Sequence, residues 1–131
     1  MARPRKRSAP PTTVSRPALL VKGSDEEFRR LIHDLIAYGH RLDACRDAFA
    51  AIAGISGVQY EILMLVSRAD GLSIGEVAAR LHRSGAFITI EANKLAEQGV
   101  LEKGSDPDDG RRVLLKISPK GFGLLERMAP Y

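Results

Sequence analysis

Residues 72–99 run LSIGEVAARLHRSGAFITIEANKLAEQG, two apolar-striped segments with a tight turn between them. Ser73-Ile74-Gly75-Glu76 is a capping box: the serine oxygen takes an orphan backbone N–H while the glutamate three residues on reaches back. Val77, Ala78 and Leu81 follow at helical spacing and give the segment one apolar face. His82-Arg83-Ser84 is a turn that offers Ser84 as the cap of a second helix. Ile88, Ala92 and Leu95 form the inner stripe of that helix, and Gly99 stops it. Two short helices joined by so tight a turn have helix-turn-helix spacing.

Working outward on the C-terminal side, residues 100–121 run VLEKGSDPDDGRRVLLKISPKG. An apolar run, a cluster of turn formers around Pro107 and Gly110, and a second apolar run read as a β-hairpin with arginine near its tip. A helix-turn-helix followed at once by a hairpin is a winged helix. In Leu95, Gly99, Leu101, Asp106, Asp109, Arg111, Ile117, Ser118 and Gly121 the chain resembles the MarR family of bacterial transcriptional regulators, with its L-x-x-x-G-L-V and D-x-x-D-x-R … L-T-x-x-G pattern. Phe87-Ile88-Thr89 with Glu91, Asn93 and Lys94 is similar to one branch of it. The resemblance extends from about Ser24 to Tyr131, and it is specific because order and spacing agree over many elements. Glu91 departs from the pattern, since the family usually has an apolar residue there.

Stepping by 3.6 residues per turn from Ile88, Ala92 and Leu95 puts Ala86, Thr89, Ile90 and Asn93 on the opposite face of the second helix. Placed in a major groove, Asn93 would bind adenine bidentately, and Thr89 and Ile90 would meet thymine methyls. Arg83 and Ser84 at the start of the helix, and Lys94 on its flank, suit phosphates. The resemblance makes Arg111 the arginine that enters the minor groove, with Arg112 beside it and Asp109 bracing it. Narrow A·T-rich grooves concentrate the negative potential that attracts such a side chain. The same residues in a salt-bridged surface turn, or on a solvated helix face, are the plainer alternatives.

The chain has 131 residues, 44% of them hydrophobic, which suits one modest core; aromatics are few and tryptophan is absent, so that core is aliphatic. The net charge of +4 is unevenly placed. Residues 1–22 carry six basic side chains and no acidic one, leaving 14 basic against 16 acidic in residues 23–131. The basicity therefore belongs to the N-terminal tail and does not by itself mark the folded part as a nucleic-acid binder. A single cysteine, Cys45, excludes an intrachain disulfide and suits a reducing cytoplasm. No apolar run approaches the roughly 20 residues of a membrane span.

Along the chain, residues 1–23 read as a disordered basic arm, rich in proline and arginine, that either tracks DNA or only solubilises. Ser24-Asp25-Glu26-Glu27 is a second capping box, opening a long helix over 24–55 whose stripe includes Phe28, Leu31, Leu35, Ile36, Leu42, Cys45 and Phe49. So long a stripe exceeds what one small domain covers, and part of it is expected to meet a second copy, as the first helix does in the resembled family. Ser56-Gly57-Val58-Gln59 is a third capping box, starting a scaffold helix with Val58, Ile62, Leu65, Val66 and Ala69 inward. The winged helix-turn-helix spans 56–121. Ser118-Pro119 then opens a last helix, over 118–131, that begins a second dimerising element. The family carries this helix further, and a natively short end and a truncated one both remain open.

The expected fold is thus mostly α with a small β wing, a winged helix-turn-helix dimerising through its long first and C-terminal helices. The expected function is sequence-specific recognition of double-stranded DNA by a homodimer, as a ligand-responsive repressor on a pseudo-palindromic operator. The alternative is a winged helix used as a protein-interaction module with only non-specific nucleic-acid contact. Relatives bind small aromatic acids near the junction of the first two helices, which makes Tyr38, Arg41, Tyr60 and Met64 the candidate pocket for an aromatic carboxylate effector. Packing aromatics account for them equally well. Cys45 is expected to be buried as a small hydrophobe. His33, His40 and His82 form no cluster at ligand spacing, so neither a metal nor another cofactor is expected. An enzyme is not indicated, because no nucleophile and base stand together and no Gly-rich phosphate loop occurs.

Overall fold

A computed structural model of the chain describes residues 13–131. Its elements are α1 (Glu26–Ile52), α2 (Gly57–Ser67), β1 (Leu72–Ser73), α3 (Ile74–Leu81), α4 (Gly85–Glu97), β2 (Leu101–Ser105), β3 (Val113–Ile117) and α5 (Pro119–Met128). They fall into two compact units, residues 1–42 and residues 43–131. The division lies inside α1 rather than at its end, where the sequence suggests a boundary. Ala50, in the last turns of α1, is fully buried in the core of the second unit and carries that end of the helix with it.

In the first unit the expectation of a disordered arm is corrected over residues 13–23; residues 1–12 lie outside the described part. Pro17–Leu19 forms one turn of 3-10 helix, and Val21 and Ser24 form an antiparallel bridge. Asp25 explains the order: its buried carboxylate accepts the backbone N–H and the hydroxyl of Thr13 and pairs with Arg29 at 3.2 Å. The capping box expected at Ser24 is half formed. Ser24 Oγ accepts the Glu26 N–H at 3.2 Å, but the Ser24 N–H is spent on the Val21 carbonyl, and Glu27 turns to Arg30 instead. Along α1, Leu31, Ile32, Leu35, Ile36 and Leu42 are exposed. Cys45 is exposed as well, contrary to its expected burial, because it sits on the uncovered side of the helix.

The second unit is built on the helix caps that the sequence announces. Ser56 and Gln59, and Ser73 and Glu76, form complete reciprocal boxes, and Ser84 and Ser118 cap α4 and α5. His82 ends α3 in the left-handed region at φ 52°, which turns the chain sharply toward Ser84. Ile62, Leu63, Val66, Val77, Ile88 and Leu95 close the core with no exposed surface, each stabilising the fold by roughly 1.5–3 kcal/mol. Leu63 joins the inner face of α2 unforeseen, because a helix covered on more than one side buries more than a single stripe. The sheet is also larger than the expected hairpin: β1 adds to it antiparallel, in the order β1-β3-β2, with Leu72 opposite Leu115. Gly121 fits where α5 begins against the α4–β2 corner, since a Cβ there would run into the Val100 carbonyl oxygen and Ile117. No single helix among the described residues is long and apolar enough to cross a membrane.

Candidate nucleic-acid interface

The two faces of α4 are sorted as helical periodicity demands. Ile88, Ala92 and Leu95 are fully buried, while Ala86, Ile90 and Asn93 lie along one exposed strip, Ile90 with 54% of its surface free. Thr89 is half-buried and its hydroxyl donates to the Gly85 carbonyl at 2.9 Å, so the methyl is the part it has left to offer. At the start of the helix the Arg83 guanidinium lies over the Phe87 ring, 5.2 Å from its centroid. Ser84 spends its oxygen on the Phe87 N–H at 3.1 Å and keeps its own proton for an acceptor such as a phosphate.

Two expected contacts are changed by the structure. Lys94 reaches Glu91 Oε1 at 3.2 Å, so its ammonium is paired on the protein instead of standing free for a phosphate. Asp109 braces the wing through the backbone: its Oδ1 accepts the Arg111 N–H at 3.1 Å and its carbonyl accepts the Arg112 N–H at 3.0 Å. The guanidinium held by carboxylates is that of Arg112, 3.7 Å from Glu76 and 3.9 Å from Asp106. Arg111 has no ion pair among the described residues.

Glu76 therefore serves two structures at once. It closes the cap of α3 by accepting the Ser73 N–H at 2.8 Å, and it holds the wing through Arg112. The Ser73 hydrogen bonds, with smaller help from Arg112 and Arg80, hold its carboxyl below its usual value. Ser73, Ile74, Glu76, Thr89, Arg111 and Arg112 line an open depression of about 650 Å³ between the helix-turn-helix and the wing. Lys103, which the sequence analysis passes over, donates from β2 to Asn93 Oδ1 and joins wing to helix a second time. Nothing local in the sequence signals this bond, since Lys103 and Asn93 lie on different elements that only the fold brings together.

The four residues expected to hold an effector occupy two depressions. Tyr60 and Met64 line a cavity of about 370 Å³ with Phe49, Phe122, Leu125 and Met128, where the Phe49 and Tyr60 rings meet edge to face at 5.5 Å. Tyr38 and Arg41, in the first unit, line a hollow of about 220 Å³ along α1 with Asp34 and Ala37. The larger cavity has one charged lining residue, Glu126, so it fits the ring of the expected effector and not its carboxylate. No cluster of three or more metal-ligating side chains occurs among the described residues.

Comparison with known proteins bears on this geometry. A family model described as the MarR family matches residues 53–112. The uncharacterized HTH-type transcriptional regulator YdgJ of Bacillus subtilis (strain 168) is 27% identical over 78 residues, 60% of this chain and 48% of that protein. The chain spans less than half the length of the curated relatives it matches. Among solved structures, the transcriptional regulator BldR from Sulfolobus solfataricus superposes with a TM-score of 0.70 at 22% identity, covering 79% of this chain and 74% of that one. A mutant of MarR from E. coli, complexed with operator DNA, superposes with a TM-score of 0.66 at 22% identity, covering 79% and 71%. At these identities the superpositions establish the winged helix-turn-helix fold.

Proposed function

We propose that this chain, whose residues 53–112 match the MarR family model, is a transcriptional regulator binding double-stranded DNA sequence-specifically, as a homodimer on a pseudo-palindromic operator in the cytoplasm. The observation that carries the reading is the exposed strip of Ala86, Ile90 and Asn93 on a helix whose other face is buried, with Arg111, which has no ion pair among the described residues, on the adjoining hairpin. In the groove the strip supplies methyls and an amide to base edges, and Arg111 supplies a cation to the narrow groove alongside. Arg83 and Ser84 hold the backbone at the start of the helix, and Lys103 reinforces Asn93.

Charge and covering support a second copy. The folded part carries more acidic than basic residues, so one copy offers few free cations, and two copies double the phosphates neutralised. The exposed leucines and isoleucines of α1 supply the apolar surface for that pairing, and the family resemblance gives the C-terminal helix a part in it. The cavity at Tyr60 and Met64 is the seat we assign to a small aromatic effector, which relieves repression if it binds the DNA-incompetent arrangement more tightly.

The test is binding of the full chain to duplex selected from a random pool. A footprint with a dyad and half-sites about 10 base pairs apart is expected, with log affinity falling steeply against log salt. Arg111→Ala is expected to cost roughly 10- to 100-fold in operator affinity. Unchanged affinity in that variant, or a footprint without a dyad, would favour a protein-interaction module instead.

A further inference from the structure

The carboxylate that holds Lys94 also reaches away from the interface, into the scaffold beneath it. Glu91 lies on the covered side of α4 next to Ala92, with 9% of its surface exposed. Its Oε2 accepts from Gln59 Nε2 of α2 at 2.9 Å, a bond between buried groups, and its Oε1 accepts from Lys94 at 3.2 Å. Gln59 Oε1 in turn accepts the Ser56 N–H at 3.0 Å, which closes the capping box of α2. A single chain of hydrogen bonds thus runs from the α1–α2 corner across α2 into the recognition helix. The fully buried side chains of α4, Ile88, Ala92 and Leu95, are all apolar.

Apolar contacts are non-directional and tolerate a small slide or roll of one helix on another. A buried carboxylate is costly unless its partners are in place, so it tolerates neither. The partner residues also fix both ends of the link: Gln59 is held by the cap it completes, and Lys94 is one turn of α4 from Glu91. Ile90 is adjacent to Glu91 in the chain and Asn93 follows two residues later, so whatever fixes Glu91 fixes where those two side chains point.

We infer that Glu91 is a positioning residue for sequence readout: its bond to Gln59 sets the register of α4 on α2, and so aims Ile90 and Asn93 without touching DNA itself. The inference rests on the DNA-binding reading and deepens it. Base-edge recognition needs its side chains held within roughly 0.5 Å, whereas phosphate contacts by flexible cations do not. Loss of the link therefore lowers discrimination between sequences and leaves non-specific binding as it was.

The experiment measures, for the full chain at one salt concentration, the ratio of affinity for the selected operator to affinity for a random duplex of equal length. The variants are Glu91→Leu combined with Gln59→Leu, Gln59→Met alone, and Glu91→Gln. The double variant removes both polar groups and leaves an apolar contact of similar volume, an exchange that folds tolerate. Its thermal midpoint is expected within a few degrees of wild type, with the ratio reduced about tenfold or more; because losing Glu91 also frees Lys94 for phosphate, unchanged random-duplex affinity and salt slope are expected of Gln59→Met, which keeps that ion pair. Gln59→Met, a change in α2 and off the exposed strip, is expected to lower the ratio too and keeps the test open if the double variant fails to fold. Glu91→Gln still accepts from Gln59 and is expected to keep the ratio within about threefold. A folded double variant or Gln59→Met with the wild-type ratio overturns the inference, as does Glu91→Gln falling as far as the double variant. A wild-type chain with no preference for operator overturns the DNA-reading proposal, and this inference with it.

Discussion

The stripes of α1 and α4 carry the same sequence signal and meet opposite fates. Leu31, Leu35 and Leu42 recur at helical spacing along α1 and are all more than half exposed. Ile88, Ala92 and Leu95 recur the same way along α4 and are completely covered. Periodicity states which side of a helix is apolar; it does not state what lies against that side. For α4 the covering elements are supplied by α2, α3 and the sheet of its own unit. For α1 the covering is left to a second copy under the proposed function, and that contrast can be broken experimentally.

The largest effect is expected on the covered side. Leu95→Ala should destabilise the fold by roughly 3–5 kcal/mol, because the methyl groups removed leave a cavity in a core that relaxes only in part. Leu35→Ala, a like truncation on α1, should change the stability of an isolated copy by less than about 0.5 kcal/mol. In a dimer it should cost several times more, with a thermal midpoint that falls on dilution. Chemical denaturation of both variants across a range of protein concentrations separates the cases. A concentration-independent midpoint for wild type and Leu35→Ala alike would show that no second copy covers α1.

The next effect concerns the corner where α5 leaves the wing. Gly121→Ala drives a methyl into the Val100 carbonyl oxygen and Ile117, and overpacking of that kind costs about 1–3 kcal/mol. The same change at Gly39, in the middle of α1, meets nothing within 4 Å and should stabilise by up to about 1 kcal/mol. The two glycines thus give opposite signs in one urea titration. Equal signs would mean that the α5 corner is looser than its geometry indicates. Ser73→Ala is smaller again, about 1 kcal/mol for a lost cap, because it removes only the oxygen that accepts the Glu76 N–H; the backbone N–H at 73 still holds the Glu76 carboxylate, so its contact with Arg112 should persist.

How much of this was legible in the chain depends on whether the signal was local. The caps at Ser56, Ser73, Ser84 and Ser118 are written in four consecutive residues each, and all four hold. The stripe of α4 is likewise internal to one helix. What escaped were contacts between elements distant in sequence. β1 exists only because Leu72 and Ser73 meet β3. The pairing of Arg112 with Glu76 joins residues on different elements, and so does the bond of Gln59 to Glu91 across 32 positions. Glu91 was legible as an anomaly, a charge where the resembled pattern is apolar, but its partner was not. The ordering of residues 13–23 escaped for the same reason, since composition reports how little apolar surface a segment can bury and not that Asp25 stands ready to bind Thr13.

Two carboxylates carry the comparison into pH, one in each unit. Hydrogen bonds from Thr13, chiefly its side chain, hold Asp25 below its ordinary value of 3.8, and those from Ser73, chiefly its backbone, hold Glu76 below 4.5. A carboxyl whose folded value is depressed contributes stability that is fully present above its unfolded value and is lost as pH falls through the folded one. What these two groups contribute should therefore be present at neutral pH and lost in acid, Glu76 beginning to weaken the second unit below about pH 4.5 and Asp25 the first below about pH 3.8. Glu76→Gln is the informative variant, because glutamine still closes a capping box but does not titrate. Thermal unfolding from about pH 6 to about pH 3 should give a flatter profile for Glu76→Gln than for wild type, with the variant less stable near pH 6 and the two converging near pH 3. If the two profiles run parallel, the acid sensitivity lies elsewhere, and the cap of α3 is held by geometry that the charge of Glu76 does not improve.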